Sequence, residues 1–293
     1  MTVEQPAARV PNVVGRASRP LVRWHGGKWR LAPWIIAHFP EHRIYTEVYG
    51  GGGAVLLRKP RSYAEVYNDL DESIVNLFAV ARDRGEELKR RLILTPFSRV
   101  ELFRAYRDEP SEDPIERARR LVVRCFMGFG SNGHHRITGF RSNSNRSGTT
   151  PAHDWRNYPA ALDATIERLR GVVIECNDAR EVLRTHDGAQ TLHYVDPPYL
   201  MSALSDTYKR YAHEMTEADH IALAEELKAL NGMVILSGYQ SDLYRQLYSG
   251  WHSVSCEALA DGARLRREVL WLNQRATAGK QMHLDMSMAS LAE

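Results

Sequence analysis

Short apolar runs alternate along this chain with stretches of helical period, and that alternation limits its fold more than any other feature. Strands are predicted at Arg43–Val48, Ala64–Asn68, Val172–Cys176, Leu192–Val195, Met233–Ser237, Val254–Glu257 and Glu268–Leu272. Helices fit near 179–185, 216–230 and 241–248, with Thr216 as a candidate N-cap and Asp219 in the first turn of the second. Parallel strands need a crossover of a dozen or more residues, usually helical, so this spacing argues for a mostly parallel sheet in an α/β fold. The polar segment 258–267 is too short for a crossover, so the last two strands should form an antiparallel hairpin at a sheet edge.

A helical block interrupts the alternation. Ile74, Leu77, Phe78 and Ala81 form one apolar stripe, Leu88, Leu92 and Ile93 a second, and Ile115, Ala118, Val122 and Phe126 a third. Gly128 to Asp154 is rich in Gly, Ser, Asn and Arg without a period and is expected to be a long loop, of a kind that usually has a function. A helix is expected from about 159 to 170, and an early one over 28–38, where Leu31, Trp34, Ile35 and Phe39 recur before Pro40. The expected division is a flexible arm at 1–20, a sheet domain from 21–76 and 171–275, an inserted helical domain at 77–170, and a tail at 276–293.

Apolar residues at 43% and charged residues at 26% of 293 are ordinary for a soluble globular protein. No apolar run reaches membrane-spanning length and the start lacks a signal-peptide core, so a cytoplasmic protein without a membrane partner is expected, a monomer by default. Cys125, Cys176 and Cys256 lie far apart and are expected to be reduced core thiols. His134, His135 and His193 have no metal-ligand spacing, and no metal is expected. The net charge is only +3, but residues 5–40 and 117–153 carry arginines without a single Asp or Glu. Such segments suit a polyanionic partner; the plain alternative is a solubilising surface.

Two motifs carry chemistry. Glu47, Val48, Tyr49 and the glycines Gly50 to Gly53 follow the first strand, where missing Cβ atoms allow a tight turn and a close approach to a ligand; a plain turn has the same look. The loop lacks the Lys-Ser/Thr of a phosphate-binding loop and the spacing of a dinucleotide fingerprint. Asp69 ends the second strand, where a carboxylate can accept hydrogen bonds from a ribose, so an adenosine-type ligand without a pyrophosphate is favoured. After the fourth strand come Asp196, Pro197, Pro198 and Tyr199. Two prolines remove two N–H donors and restrict the backbone, leaving acceptors to face a pocket. Adenine N6 is a poor nucleophile because its lone pair is delocalised; an Asp carboxylate and a neighbouring carbonyl could accept its two hydrogens and help turn that lone pair outward. Tyr199 would stack on the base. The plain alternative is a helix cap with a packed tyrosine.

Together these residues resemble the Dam-like, D12-class N6-adenine DNA methyltransferases. The resemblance rests on Trp24, Gly26, Gly27 and Lys28, on Glu47 with Gly50 to Gly53, on Asn68 to Asp71, and on Asp196 to Tyr199, in that order over about residues 21–273. It implies a Rossmann-like S-adenosylmethionine-dependent sheet with an inserted helical target-recognition domain. It further implies transfer of a methyl group from S-adenosylmethionine to N6 of an adenine flipped out of double-stranded DNA. Trp24, Gly27, Lys28, Glu47, Tyr49, Gly50, Gly51 and Gly52 would surround the cofactor, Asp69 would hold its ribose, Asp178 would meet its adenine ring, and Lys28 and Asp196 would lie where cofactor and target meet.

The inserted region would contact DNA, with Arg124, Asn132, Arg136, Arg141, Asn143 and Arg146 as candidates; arginines could read guanine or clamp phosphates, and asparagines could pair with adenine edges. Here Phe126 to Asn132 and Thr138 to Arg141 depart from the best-known members and look more like phage and prophage relatives, so the familiar G-A-T-C target is not carried over. The residues alone leave cytosine N4 or an RNA adenine open as acceptors, and also a DNA-binding protein that keeps the shell without the activity.

Overall fold

The computed structural model describes residues 17–130, 133, 136–143, 148–200, 213–259 and 265–278. Its centre is a seven-stranded sheet in the order β3-β2-β1-β4-β5-β7-β6. The strands are β1 (Ile44–Glu47), β2 (Ala64–Asn68), β3 (Val172–Glu175), β4 (Thr191–Val195), β5 (Met233–Tyr239), β6 (His252–Leu259) and β7 (Leu265–Leu272). Strands β1 to β5 pair in parallel, whereas β7 runs antiparallel to both β5 and β6. All seven expected strands are present, and the last two form the expected hairpin.

Alternation along each strand divides the core. Leu192, Tyr194, Ile235, Leu270 and Leu272 face one apolar cluster, and Val195, Val234, Leu236, Val269 and Trp271 face the other. The second face is covered by α8 (Ala179–Thr185), α9 (Glu217–Ala229) and α10 (Asp242–Leu247), which bury Val182, Leu223, Leu227 and Tyr244 there. Thr216 caps α9 as expected, in a reciprocal box: its hydroxyl accepts from the Asp219 N–H at 3.2 Å and Asp219 accepts from the Thr216 N–H at 2.8 Å.

The first face carries α1 (Ala32–Ile36), α2 (Ala54–Arg58) and α3 (Glu72–Asp83), and its cluster continues into α4 (Gly85–Ile93), α5 (Arg99–Arg107), α6 (Pro114–Met127) and α7 (Pro151–Leu169). The position expected to open the insertion, residue 77, lies inside α3, whose Phe78 stacks on Tyr67 of β2 at 4.0 Å. Among the residues expected to form the arm, Ala17 is buried, and Arg19 pairs with Asp154 at 3.0 Å. Residues 1–16 and 279–293 lie outside the described residues.

Three expectations need correction. Helix α7 begins at Pro151, not near 159: Thr150 caps it, Pro151 sits in the first turn where an N–H is dispensable, and Pro159 is tolerated inside. Anchors on both sides of Pro159 fix the helix, since Trp155 Nε1 donates to the Thr95 carbonyl at 2.8 Å and the Tyr158 hydroxyl to the Leu21 carbonyl at 2.5 Å. Helix α1 is only Ala32–Ile36, because a turn closed by the Gly27 N–H on the Trp24 carbonyl occupies the preceding residues and Pro33 starts the helix. Of the three cysteines only Cys125 is buried; Cys176, just past edge-facing β3, is exposed and Cys256 on edge strand β6 is half-buried. Among the described residues no helix is long and apolar enough to cross a membrane.

Candidate active site

The strand order reverses at β1, which has β2 on one side and β4 on the other. Such a switch point opens a crevice beyond the carboxyl ends of the strands. Because Glu47 of β1 is in register with Tyr194 of β4, the glycine loop leaving β1 and the Asp196-Pro197-Pro198 turn leaving β4 emerge side by side. They line one cavity of about 360 Å³. Trp24, Gly27, Lys28, Glu47, Tyr49, Gly50, Gly51, Gly52, Asp69, Asp178, Asp196, Pro197 and Pro198 all line it, although they lie up to 174 residues apart in sequence.

Each wall is built by local hydrogen bonds. The Gly51 N–H donates to Asp69 Oδ2 at 2.7 Å, the Tyr67 hydroxyl to the Gly51 carbonyl at 2.7 Å, and the Gly50 N–H to the Asn68 carbonyl at 2.8 Å. Asn68 also bonds the Val48 carbonyl at 2.9 Å and the Asn177 backbone, tying the ends of β1, β2 and β3 together. Each Asp69 oxygen accepts one backbone N–H, which leaves a carboxylate with spare acceptor capacity. Asp178 caps α8 and pairs with Arg180 at 3.0 Å.

Glu47 is buried at the floor. Its Oε2 accepts the Tyr45 hydroxyl and the Leu56 N–H, each at 2.7 Å, so it satisfies one of the orphan donors of α2. Burial nonetheless pushes its carboxyl up to about 7. On the walls carboxylates outnumber cations: Glu47, Asp69, Asp71, Asp178, Asp196, Glu214 and Asp219 stand against Lys28 and Arg180.

Asp196 is gripped by Lys28, whose Nζ lies 2.9 Å from Oδ1 and 2.7 Å from Oδ2. The ammonium also meets the Gly26 carbonyl at 3.2 Å and sits 4.8 Å from the centre of the Tyr199 ring. Burial raises the Asp196 carboxyl to about 6, the Lys28 charge opposing and the Glu268 charge adding to the rise. Tyr199 does not line the cavity: its ring packs on Tyr239 at 4.4 Å and its hydroxyl donates to Glu268 at 2.6 Å, with Asp196 Oδ1 at 3.2 Å. Glu268 and Ser237 complete this cluster, and nothing in the sequence marked Glu268, which belongs to no motif on β7.

The helices between β2 and β3 and their loop present a different surface. Phe129 and Phe140 begin and end a loop clipped by the Phe129 N–H to the Gly139 carbonyl at 2.8 Å and by the Arg141 N–H to the Met127 carbonyl at 2.9 Å. Arg141 also donates from its guanidinium to the Phe126 carbonyl at 2.9 Å, so part of its role is to hold the loop on α6. Arg124 is half-buried on α6, whereas Arg136 and Asn143 are exposed; Asn132 and Arg146 lie outside the described residues. The arginines of α6 are less available than the acid-free run suggested. Arg119 and Arg120 both bond Glu116, which precedes the run, and Arg119 also reaches Glu101 at 3.0 Å.

Arg136→Ala is expected to weaken duplex binding and to reduce the slope of log affinity against log salt by about 0.9, one phosphate contact. An unchanged slope in a salt-titrated binding assay would exclude a phosphate contact for Arg136.

The chain is similar to known proteins over most of its length. It is 24% identical over 246 residues to the DNA adenine methylases of Salmonella typhi and of Escherichia coli strain K12, covering 80% of this chain and 85% of each relative. The DNA adenine methylase of Haemophilus influenzae is 25% identical over 247 residues, covering 79% of this chain and 83% of that protein. Residues 24–260, from the Trp24 turn into the terminal hairpin, match a single family, and with that match the chain belongs to the D12 class N6 adenine-specific DNA methyltransferases.

Proposed function

We propose that this chain binds duplex DNA through its inserted helices and loop, turns one adenine out of the stack, and methylates its N6 with S-adenosylmethionine as donor. The observation that carries the reading is the shared cavity in which Asp196 and the glycine loop meet. Its fit to the cofactor rests on the residues themselves. The excess of carboxylates suits a ligand with a cationic centre, and the loop is so tight that a Cβ on Gly51 would come within 2.8 Å of the Trp24 indole.

Bound there, S-adenosylmethionine supplies a methyl group on a positively charged sulfur, open to direct attack by nitrogen. Glu47, Asp69 and the glycine loop would hold the cofactor, with Asp178 on the side of its adenine ring. Asp196 accepts one N6–H of the target and the Pro197-Pro198 backbone the other, so that the amine pyramidalises with its lone pair turned away from the ring. As positive charge grows on N6, the Asp196 carboxylate stabilises it and is positioned to take the surplus proton. Lys28 orients Asp196 before the amino group arrives. No cysteine nucleophile takes part.

The decisive experiment incubates the protein with labelled cofactor and, separately, duplex DNA, single-stranded DNA and RNA, and identifies the modified nucleoside. N6-methyladenine in duplex DNA is expected. Label only in N4-methylcytosine or in RNA would overturn the acceptor, and tight cofactor binding without transfer would overturn the activity.

A further inference from the structure

Glu268 is only 3% exposed, on β7 opposite Tyr239 of β5. Burying a carboxylate is costly unless it is paired and hydrogen-bonded, and an apolar residue of similar size often packs at no greater cost. Here its Oε1 accepts the Tyr199 hydroxyl at 2.6 Å and the Ser237 hydroxyl at 2.7 Å, and lies 3.8 Å from Lys28 Nζ. Lys28 therefore stands between two buried carboxylates, gripping both oxygens of one and just out of hydrogen-bond range of the other. A carboxylate held on both oxygens by an ammonium is a weakened acceptor for a third group. Asp196 has to turn at least one oxygen to the adenine amine.

We propose that Glu268 is a positioning residue for methyl transfer: it is the second carboxylate onto which Lys28 shifts when Asp196 engages the amino group. Closing the 3.8 Å separation to a charge-assisted hydrogen bond of about 2.8 Å takes a shift of only about 1 Å. The Tyr199 hydroxyl bridges the two carboxylates and its ring stays beneath the ammonium, so the shift occurs within one fixed cluster. The shift moves the side chain and no proton, and Glu268 touches neither substrate nor cofactor. The charged and titratable groups facing Asp196 are Lys28 from the segment before α1, Glu268 from β7, Glu47 from β1, Tyr194 of β4, Tyr199 and Tyr244 of α10.

This inference rests on the transferase reading, and the test separates the two. Glu268→Gln keeps the size and the acceptor for both hydroxyls but removes the charge. With saturating cofactor and duplex DNA, its kcat should fall roughly 10- to 100-fold, the scale of a misplaced catalytic group, while cofactor affinity is unchanged. The acidic limb of its kcat–pH profile should move to lower pH, because the negative charge that helps raise the Asp196 carboxyl is gone. Glu268→Asp, which keeps the charge, should return the limb towards its original position.

If Glu268→Gln does not fold, Tyr199→Phe serves in its place: it keeps the ring under Lys28 and removes only the bridge, and kcat should fall with the KM for cofactor unchanged. Undiminished kcat with an unmoved limb in the Gln variant, or undiminished kcat in Tyr199→Phe, would overturn the proposal. So would parallel loss of kcat and cofactor binding with the limb in place, which is the mark of a structural strut. Absence of N6-methyladenine with the wild-type protein would instead defeat the transferase reading itself.

Discussion

Asp196→Ala is expected to lower kcat by roughly 10²–10⁴-fold, the range for losing a positioned proton-transfer group, with little change in duplex affinity or cofactor binding. The loss corresponds to about 3–5 kcal/mol of transition-state stabilisation at 1.36 kcal/mol per decade. The fold should survive, because Lys28 keeps the Gly26 carbonyl at 3.2 Å and Glu268 at 3.8 Å once its main partner is gone. The pH dependence tests the same assignment. Desolvation holds the wild-type Asp196 carboxyl at about 6, so the acceptor form dominates above that pH and kcat should fall as pH drops through it.

Glu47, raised to about 7 by burial, also titrates nearby, but it meets the cofactor and not the amine in this reading. Its protonation should therefore appear in the KM for cofactor and vanish from kcat at saturation. Asp196→Asn keeps an acceptor oxygen without a titrating proton, so its residual kcat should show no limb near 6. Single-turnover methylation across pH 5–9 with wild type and both variants is the measurement. Full activity in Asp196→Ala, or an unaltered limb in Asp196→Asn, would remove Asp196 from the chemistry.

What could be read from the sequence followed physical scale. The strands were legible because their period of two is imposed locally: Leu192 and Tyr194 face one core, Val195 the other. The cavity walls were legible because glycines and prolines act through their own backbone, and every residue expected to hold the cofactor lines the cavity. Long-range pairing was not legible. Glu116 and Glu101 neutralise arginines of α6 from outside the acid-free run.

Glu268 looked like one more polar residue of a hairpin until the fold carried it to within 3.8 Å of Lys28, 240 positions earlier. The helix expected from about 159 in fact starts at Pro151, and the anchoring of Trp155 and Tyr158 carries it through Pro159. Tyr199 drew a stacking role from its motif, whereas its hydroxyl in fact joins Glu268 and its ring supports Lys28.

The glycine loop permits an equally sharp test, because its tolerance for a side chain is set by neighbours that cannot yield. A Cβ on Gly50 would lie 2.2 Å from Cε2 and 2.6 Å from Cδ2 of Tyr67. That ring is sandwiched: it stacks on Phe78 at 4.0 Å and its hydroxyl is fixed on the Gly51 carbonyl at 2.7 Å. The cheapest relief for Gly50→Ala is therefore to push the loop off Tyr67, which breaks the Gly50 N–H bond to Asn68 and displaces the Gly51 N–H from Asp69. Such overpacking typically costs about 1–3 kcal/mol of stability, a loss that a protein of this size can absorb. In the proposed reading the cofactor cannot absorb it, because the same loop would form its cradle.

Gly50→Ala should thus still melt cooperatively yet lose cofactor affinity by roughly 100-fold, consistent with about 2.8 kcal/mol at 1.4 kcal/mol per decade. Gly139→Ala is the control, since a Cβ there meets nothing within 4 Å, and its cofactor affinity should match the wild type. Isothermal titration with S-adenosylhomocysteine measures both without any turnover. Wild-type affinity in Gly50→Ala would mean that the loop does not seat the cofactor, and the cavity between β1 and β4 would lose its assignment.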